Sequence, residues 1–213
     1  MTVALAPQAI RQPETAARPE DDPRHGPHRW TREEYHKMIA AGVFDDARVE
    51  LLDGEIWNMA GQLTPHATSV RKTTLALRDI FGEGFIVEAQ LPIAATKWSE
   101  PEPDVAVVSG TPDDYADHHP GPEEILLLVE VSDTSLNKDR KRKAKSYAQA
   151  GIMEYWIVNL VDQQLEVHRQ PTPEGLYLDI KIYPPTDSIE TLTVPGDAIR
   201  VADLLPPLPR QDL

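Results

Sequence analysis

The sequence predicts one α/β domain built on a central mixed β-sheet flanked by helices. Two apolar, β-branched runs, at 104–109 and 125–131, read as buried strands, and each is joined to an acidic residue. Helical patterns at 65–80 and 137–150 precede and follow them, and strands interspersed with helices give α/β organisation. A length of 213 residues fits one domain with room for a sizeable core, and neither an internal repeat nor a second core emerges.

In chain order, residues 1–28 are polar and Pro-bearing, with no apolar periodicity after Ile10, which predicts a disordered tail. His25 and His28 lie in it and read as solvated. Thr31 with Glu34 makes a capping box that opens a short helix ending near Gly42. Asp53-Gly54, between the runs 48–52 and 55–59, is the strongest short hairpin signal. Val70, Leu75, Leu77 and Ile80 are the apolar positions of the helix over 65–80. Strands follow at 84–90 and 104–109, then a loop rich in Pro, Asp and His, then the strand 125–131. The helix 137–150 carries six basic residues among the eight from Lys138 to Lys145, and Gly151 closes it as a C-cap. Further strands are expected at 154–159, 164–168 and 176–183, and a short helix at 199–205. The domain therefore spans 29–207, with 208–213 as a C-terminal tail.

Composition narrows the function. A net charge of −14, from 21 basic and 35 acidic residues, argues against a general nucleic-acid coat. It leaves room for an enzyme whose acids bind metal while a local basic patch holds phosphate. Cys is absent, which excludes disulfides, thiolate metal sites and Cys nucleophiles. No apolar run approaches the roughly 18 residues of a membrane span, and the N-terminus lacks a signal pattern, so no membrane partner and a cytoplasmic location are expected. There is no Gly-x-Ser-x-Gly elbow, no Gly-Lys-Ser/Thr phosphate loop and no His-Glu-x-x-His.

The acids on the strands are the informative residues. A carboxylate on a core strand is costly to bury unless something compensates it, and a bound cation is one compensation. Asp104 follows Pro103 at a strand entry, Glu130 ends an apolar run 26 residues later, and Glu50 alternates with Val49 and Leu51 on the first hairpin strand. Three oxygen ligands from separate elements suit Mg²⁺ or Mn²⁺. Taken singly, each acid also fits a solvated strand end. On the basic helix, Asp139, Lys143 and Tyr147 recur every four residues and share a face about 80° wide. That face is either solvated or aims Lys143 at the acids, to orient or deprotonate a water or to neutralise phosphate. In the second case the remaining basic residues track a nucleic-acid backbone. His118 and His119, in the acidic loop, read as solvated.

Glu50, Glu102-Pro103-Asp104 and Glu130-Val131-Ser132 resemble the PD-(D/E)xK nuclease signature. Longer strings are similar to the Uma-two family of restriction endonucleases: Glu50-Leu51-Leu52-Asp53-Gly54-Glu55-Ile56, Ser99-Glu100-Pro101-Glu102-Pro103-Asp104-Val105, Val129-Glu130-Val131-Ser132, Tyr147-Ala148-Gln149-Ala150-Gly151-Ile152 and Glu154-Tyr155-Trp156-Ile157-Val158. The resemblance covers roughly residues 30–206. It implies a restriction-endonuclease-like fold and Mg²⁺- or Mn²⁺-dependent hydrolysis of DNA phosphodiester bonds. Asp104, Glu130 and Glu50 would hold the metal and Lys143 would position the attacking water. His66 fits the family's pattern as a contact to phosphate or to the metal's water shell, and Gln90, polar in a strand, is a similar accessory, as are Asp139 and Tyr147. Ser132 stands where the general signature has Lys, so the amine maps onto Lys143, with Lys145, about 200° away around the helix, as the fallback. The alternative reading is a nuclease fold that binds nucleic acid or protein without cutting, and a hydrolase of another phosphate ester is a third. Cutting both strands would favour a homodimer.

Overall fold

The computed structural model describes residues 26–207; residues 1–25 of the tail expected over 1–28, with His25, and the tail 208–213 lie outside the described residues. The first element, α1 (Arg32–Ala40), opens on Thr31 as its sequence requires. The Thr31 hydroxyl accepts from the Glu34 amide, and the Glu34 carboxylate accepts from the Thr31 amide. β1 (Val49–Leu52) and β2 (Glu55–Asn58) are joined by Asp53 and Gly54, at φ 50° and 79°, the left-handed pair that a two-residue hairpin turn needs. This hairpin is a separate two-stranded sheet, tied to the body by backbone bonds between Leu51 and Glu100.

α2 (Thr64–Phe81) carries Pro65 in its first turn, where a missing N–H costs nothing. Val70, Leu77 and Phe81 lie on its buried side, but Leu75 is 65% exposed. Leu75 and Leu77 are two positions apart, about 200° around the helix, so the two cannot share the core face.

The central sheet has six strands: β3 (Phe85–Glu88), β4 (Val105–Ser109), β5 (Ile125–Ser132), β6 (Glu154–Asn159), β7 (Gln164–Pro171) and β8 (Tyr177–Tyr183), in that spatial order. Every neighbouring pair is antiparallel except β5 and β6, which makes the sheet mixed. A parallel pair needs a crossover. Here it is a helical segment made of α3 (Leu136–Lys138), a π-turn over Asp139–Lys143 and α4 (Ala144–Ala150), so the helix expected over 137–150 is interrupted in its middle. Gly151, at φ 82°, ends it in the left-handed conformation of a C-cap.

Near the C-terminus, β9 (Ser188–Glu190) and β10 (Ala198–Arg200) form a second small hairpin, and Val201–Asp203 is a single 3-10 turn. The helix expected at 199–205 is thus a strand followed by that turn. Ile199 sits opposite Ile189 and both are buried between exposed neighbours, the period-two signature of a ladder.

Alternation along β5 sorts its side chains onto two cores. Leu127, Val129 and Val131 pack with Val70, Leu77 and Phe81 of α2. Leu128 packs with Ala144, Tyr147 and Ala148 of α4. Glu130 and Ser132 continue the second series, so the strand presents them to the crossover helix.

A candidate acidic cleft at the end of β5

The pairing of Val105 with Val129 across β4 and β5 continues one step to set Asp104 opposite Glu130. Asp104 is fixed there because its Oδ2 accepts from the Val131 amide at 2.9 Å and meets His66 Nε2 at 3.1 Å. Its Oδ1 accepts from Gln90 Nε2 at 3.3 Å. Gln90 sits just past β3 at φ 59°, a strained conformation for a residue with a Cβ, and that turn aims its amide at the acid. Glu50, from β1, accepts from Lys138 Nζ at 2.7 Å and from the Glu102 amide at 3.3 Å.

The crossover helix fills the space beneath. Lys143 Nζ donates to Glu130 Oε1 at 2.8 Å and lies 3.4 Å from Glu50 Oε2. It also donates to the Glu102 carbonyl at 3.4 Å. The Tyr147 hydroxyl donates to the same Glu130 oxygen at 2.7 Å. Asp139 Oδ2 accepts from both the Ser132 and Ser135 hydroxyls. Ser132, at the position where a strand lysine would stand, therefore anchors the start of the helix that delivers Lys143.

These residues surround a cleft of about 120 Å³ lined by Glu50, Glu102, Asp104, Asp139, His66, Arg48, Lys138 and Lys143, among others. A single water needs about 10–15 Å³ of such space, so a cation with its water shell fits. Glu130 does not line the cleft; it is 3% exposed and sits behind Lys143. Nor do Glu50, Asp104 and Glu130 close on one point: among the described residues, the trio whose ligand atoms all lie within 4.8 Å of one another is His36, Glu100 and His119.

Electrostatics follow from this packing. Burial pushes the Glu130 carboxyl up, to about 8. Burial also opposes charge on Lys143, but Glu130 and Glu50 outweigh it and raise the ammonium above its ordinary value. Lys143 is thus held as a cation by the acids around it. Burial works against charge on Glu50 and Asp104 too, yet both are lowered, Glu50 by Lys143 and Lys138 and Asp104 by His66 and Lys143. His66 is raised by Asp104 in spite of its burial, and its Nδ1 is buried with no hydrogen-bond partner. Burial raises Asp139 and, far more, Tyr147.

Two parts of the basic helix depart from expectation. Arg140 is engaged by Glu166 at 2.6 Å and 2.9 Å, and Arg142 by Glu55 at 2.7 Å while it stacks over Trp57. Neither guanidinium is free to follow a phosphate backbone. Lys145 is exposed and away from the cleft, which removes it as the fallback amine. Conversely, Lys138 and the backbone of Glu102 join the site without having been singled out. The only signal for Lys138 was its membership of the basic run, and a backbone carbonyl leaves none.

The fold and cleft define an α/β protein of the nuclease type, with acids at the ends of adjacent strands and a lysine supplied by the crossover helix. The chain belongs to the Uma2 family, described as "Putative restriction endonuclease", whose profile matches residues 32–202. In the solved structures it is similar to a protein of Anabaena variabilis ATCC 29413, described as a putative nuclease belonging to DUF820, at 14% identity and a TM-score of 0.66, covering 82% of this chain and 96% of that one. No curated protein matches it.

Proposed function

We propose that this chain is an Mg²⁺- or Mn²⁺-dependent endonuclease that hydrolyses DNA phosphodiester bonds, in the cytoplasm and as a homodimer. The observation that carries the reading is the cleft, where charged carboxylates of Glu50 and Asp104 meet the ammonium groups of Lys138 and Lys143. An oxygen-rich donor set suits a hard divalent ion, and Asp104 and Glu50, which line the cleft, would hold it, while Glu130, expected as a third ligand, is instead bonded to Lys143 behind it. When bound, such an ion would acidify a bound water and offset charge on the phosphate. Lys143 orients the attacking water and neutralises the phosphate as a cation, with Tyr147 and Glu130 fixing its position. Gln90 and His66 hold the Asp104 carboxylate, and Asp139 secures the start of the crossover helix.

β8 supports the homodimer. It is a sheet edge on which Leu178, Ile180 and Ile182 are 68%, 54% and 59% exposed. Antiparallel pairing of two such edges about Ile180 sets Asp179 of one copy opposite Lys181 of the other, a self-complementary match.

The Lys143–Glu130 contact and the net charge of −14 favour one second reading, a nuclease fold that binds nucleic acid or protein without cutting. Plasmid DNA incubated with the protein and Mg²⁺ or Mn²⁺ separates the two. Nicking that disappears in Glu130→Ala and Asp104→Ala supports the endonuclease. Metal binding with no cleavage of DNA supports the second reading.

A further inference from the structure

The geometry points to a second metal site, for a transition-metal ion such as Zn²⁺, formed by His36, Glu100 and His119. It lies outside the acidic cleft and does not rest on the nuclease reading. His36 comes from α1, Glu100 from the extended segment leading to β4, and His119 from the loop before β5. Their ligand atoms all lie within 4.8 Å of one another. His36 Nε2 is 2.7 Å and 2.8 Å from the two Glu100 oxygens, and the His36 and His119 rings stand 6.3 Å apart, nearly perpendicular.

Glu100 is the unusual member. It is 3% exposed, and His36 is the hydrogen-bond partner of both its oxygens among the described residues. Its backbone is pinned by a two-way bond to Leu51, and the loop bearing His119 is pinned where the Ala94 amide donates to the Pro120 carbonyl at 2.8 Å. A fixed buried carboxylate thus faces two imidazoles that are exposed and free to adjust. Zn²⁺ takes imidazole nitrogen and carboxylate oxygen at about 2.0–2.2 Å, so tetrahedral ligands sit about 3.3 Å apart, a small closure from the present spacing. Two imidazoles select Zn²⁺, Ni²⁺ or Co²⁺ over Mg²⁺, which prefers oxygen. The remaining coordination position opens to solvent.

Neighbouring groups leave this trio available. His118 is held aside by Asp117 at 2.9 Å and Glu124 at 3.4 Å. Those two carboxylates offset the charge of Arg32, which lines the same hollow. A bound ion would clamp α1 and the 116–124 loop onto the segment that carries Glu102 and Asp104, two and four residues beyond Glu100.

The test is calorimetric titration of the full, untagged chain with Zn²⁺ in excess Mg²⁺, paired with Co²⁺ absorption spectra. One zinc bound per chain, a rise in Tm and an imidazole-ligated Co²⁺ spectrum are expected. Loss of all three in His119→Ala and His36→Ala, with far-UV circular dichroism unchanged, supports the site. His119 is exposed, so His119→Ala leaves the fold intact. Absence of zinc binding in the parent chain overturns the proposal. So does zinc binding that survives both variants, or that is lost in His66→Ala instead, which would assign the ion to the acidic cleft.

Discussion

A single ammonium, that of Lys143, lies between two acids at the site, Glu130 and Glu50, and its removal exposes what it compensates. Lys143→Ala leaves Glu130 buried without a charge partner, a change that costs about 3–5 kcal/mol when a buried pair is broken; denaturant unfolding measures it. Ser132→Ala removes one of two hydroxyls bonded to Asp139 and should cost only about 1 kcal/mol, since Ser135 remains. The His66–Asp104 pair gives a pH signature. His66 is raised above its ordinary 6.5, so the stability it contributes is fully present below 6.5 and is lost as pH rises through the higher folded value. His66→Ala should flatten that part of the stability–pH curve, as followed by Tm across neutral pH. At this scale the sequence was legible wherever a charge interrupted an apolar run, as at Glu50, Asp104 and Glu130. Lys143 was legible by its spacing from Asp139 and Tyr147. Lys138 was not, because its partner Glu50 lies 88 residues away and nothing local distinguishes it from Lys141.

Elements whose signals are local form as read: the capping box at Thr31, the Asp53-Gly54 turn and the Gly151 C-cap. Gly54 is required there twice over, by its φ of 79° and because an added Cβ would stand 2.8 Å from Arg29 Cβ. Gly54→Ala should therefore destabilise by more than about 1 kcal/mol in thermal unfolding, with the β1–β2 hairpin the first part to open in hydrogen exchange. The elements that departed from expectation are those fixed by tertiary contacts. The π-turn that interrupts the crossover helix is announced by no helical periodicity, although Asp139 and Lys143 face inward to meet Ser132 and Glu130 as their spacing predicts. The β9–β10 hairpin is three residues a side, too short for alternation to outweigh the helix-like spacing of Val201, Leu204 and Leu205.

For the whole molecule, the mixed sheet and the family were both legible, because the strings that carry the resemblance include its central strands. The exposed apolar edge of β8 was not, since alternating Leu178, Ile180 and Ile182 read equally well as a core face. Ile180→Lys should convert a dimer to a monomer in light scattering, without loss of Tm beyond that of dissociation. Among the described residues no helix is long and apolar enough to cross a membrane. The acidic cleft draws its lining from four stretches, around residues 48–50, 59–66, 102–104 and 133–143. Those stretches lie on both faces of the sheet and come together in the folded domain. An ion that recognises it therefore binds the native state alone and acts as a folding ligand. Mn²⁺ at a hundredfold excess over its Kd should add about 2.7 kcal/mol to unfolding stability, and EDTA should remove it. Metal supply would then set part of this chain's folding stability as well as its chemistry.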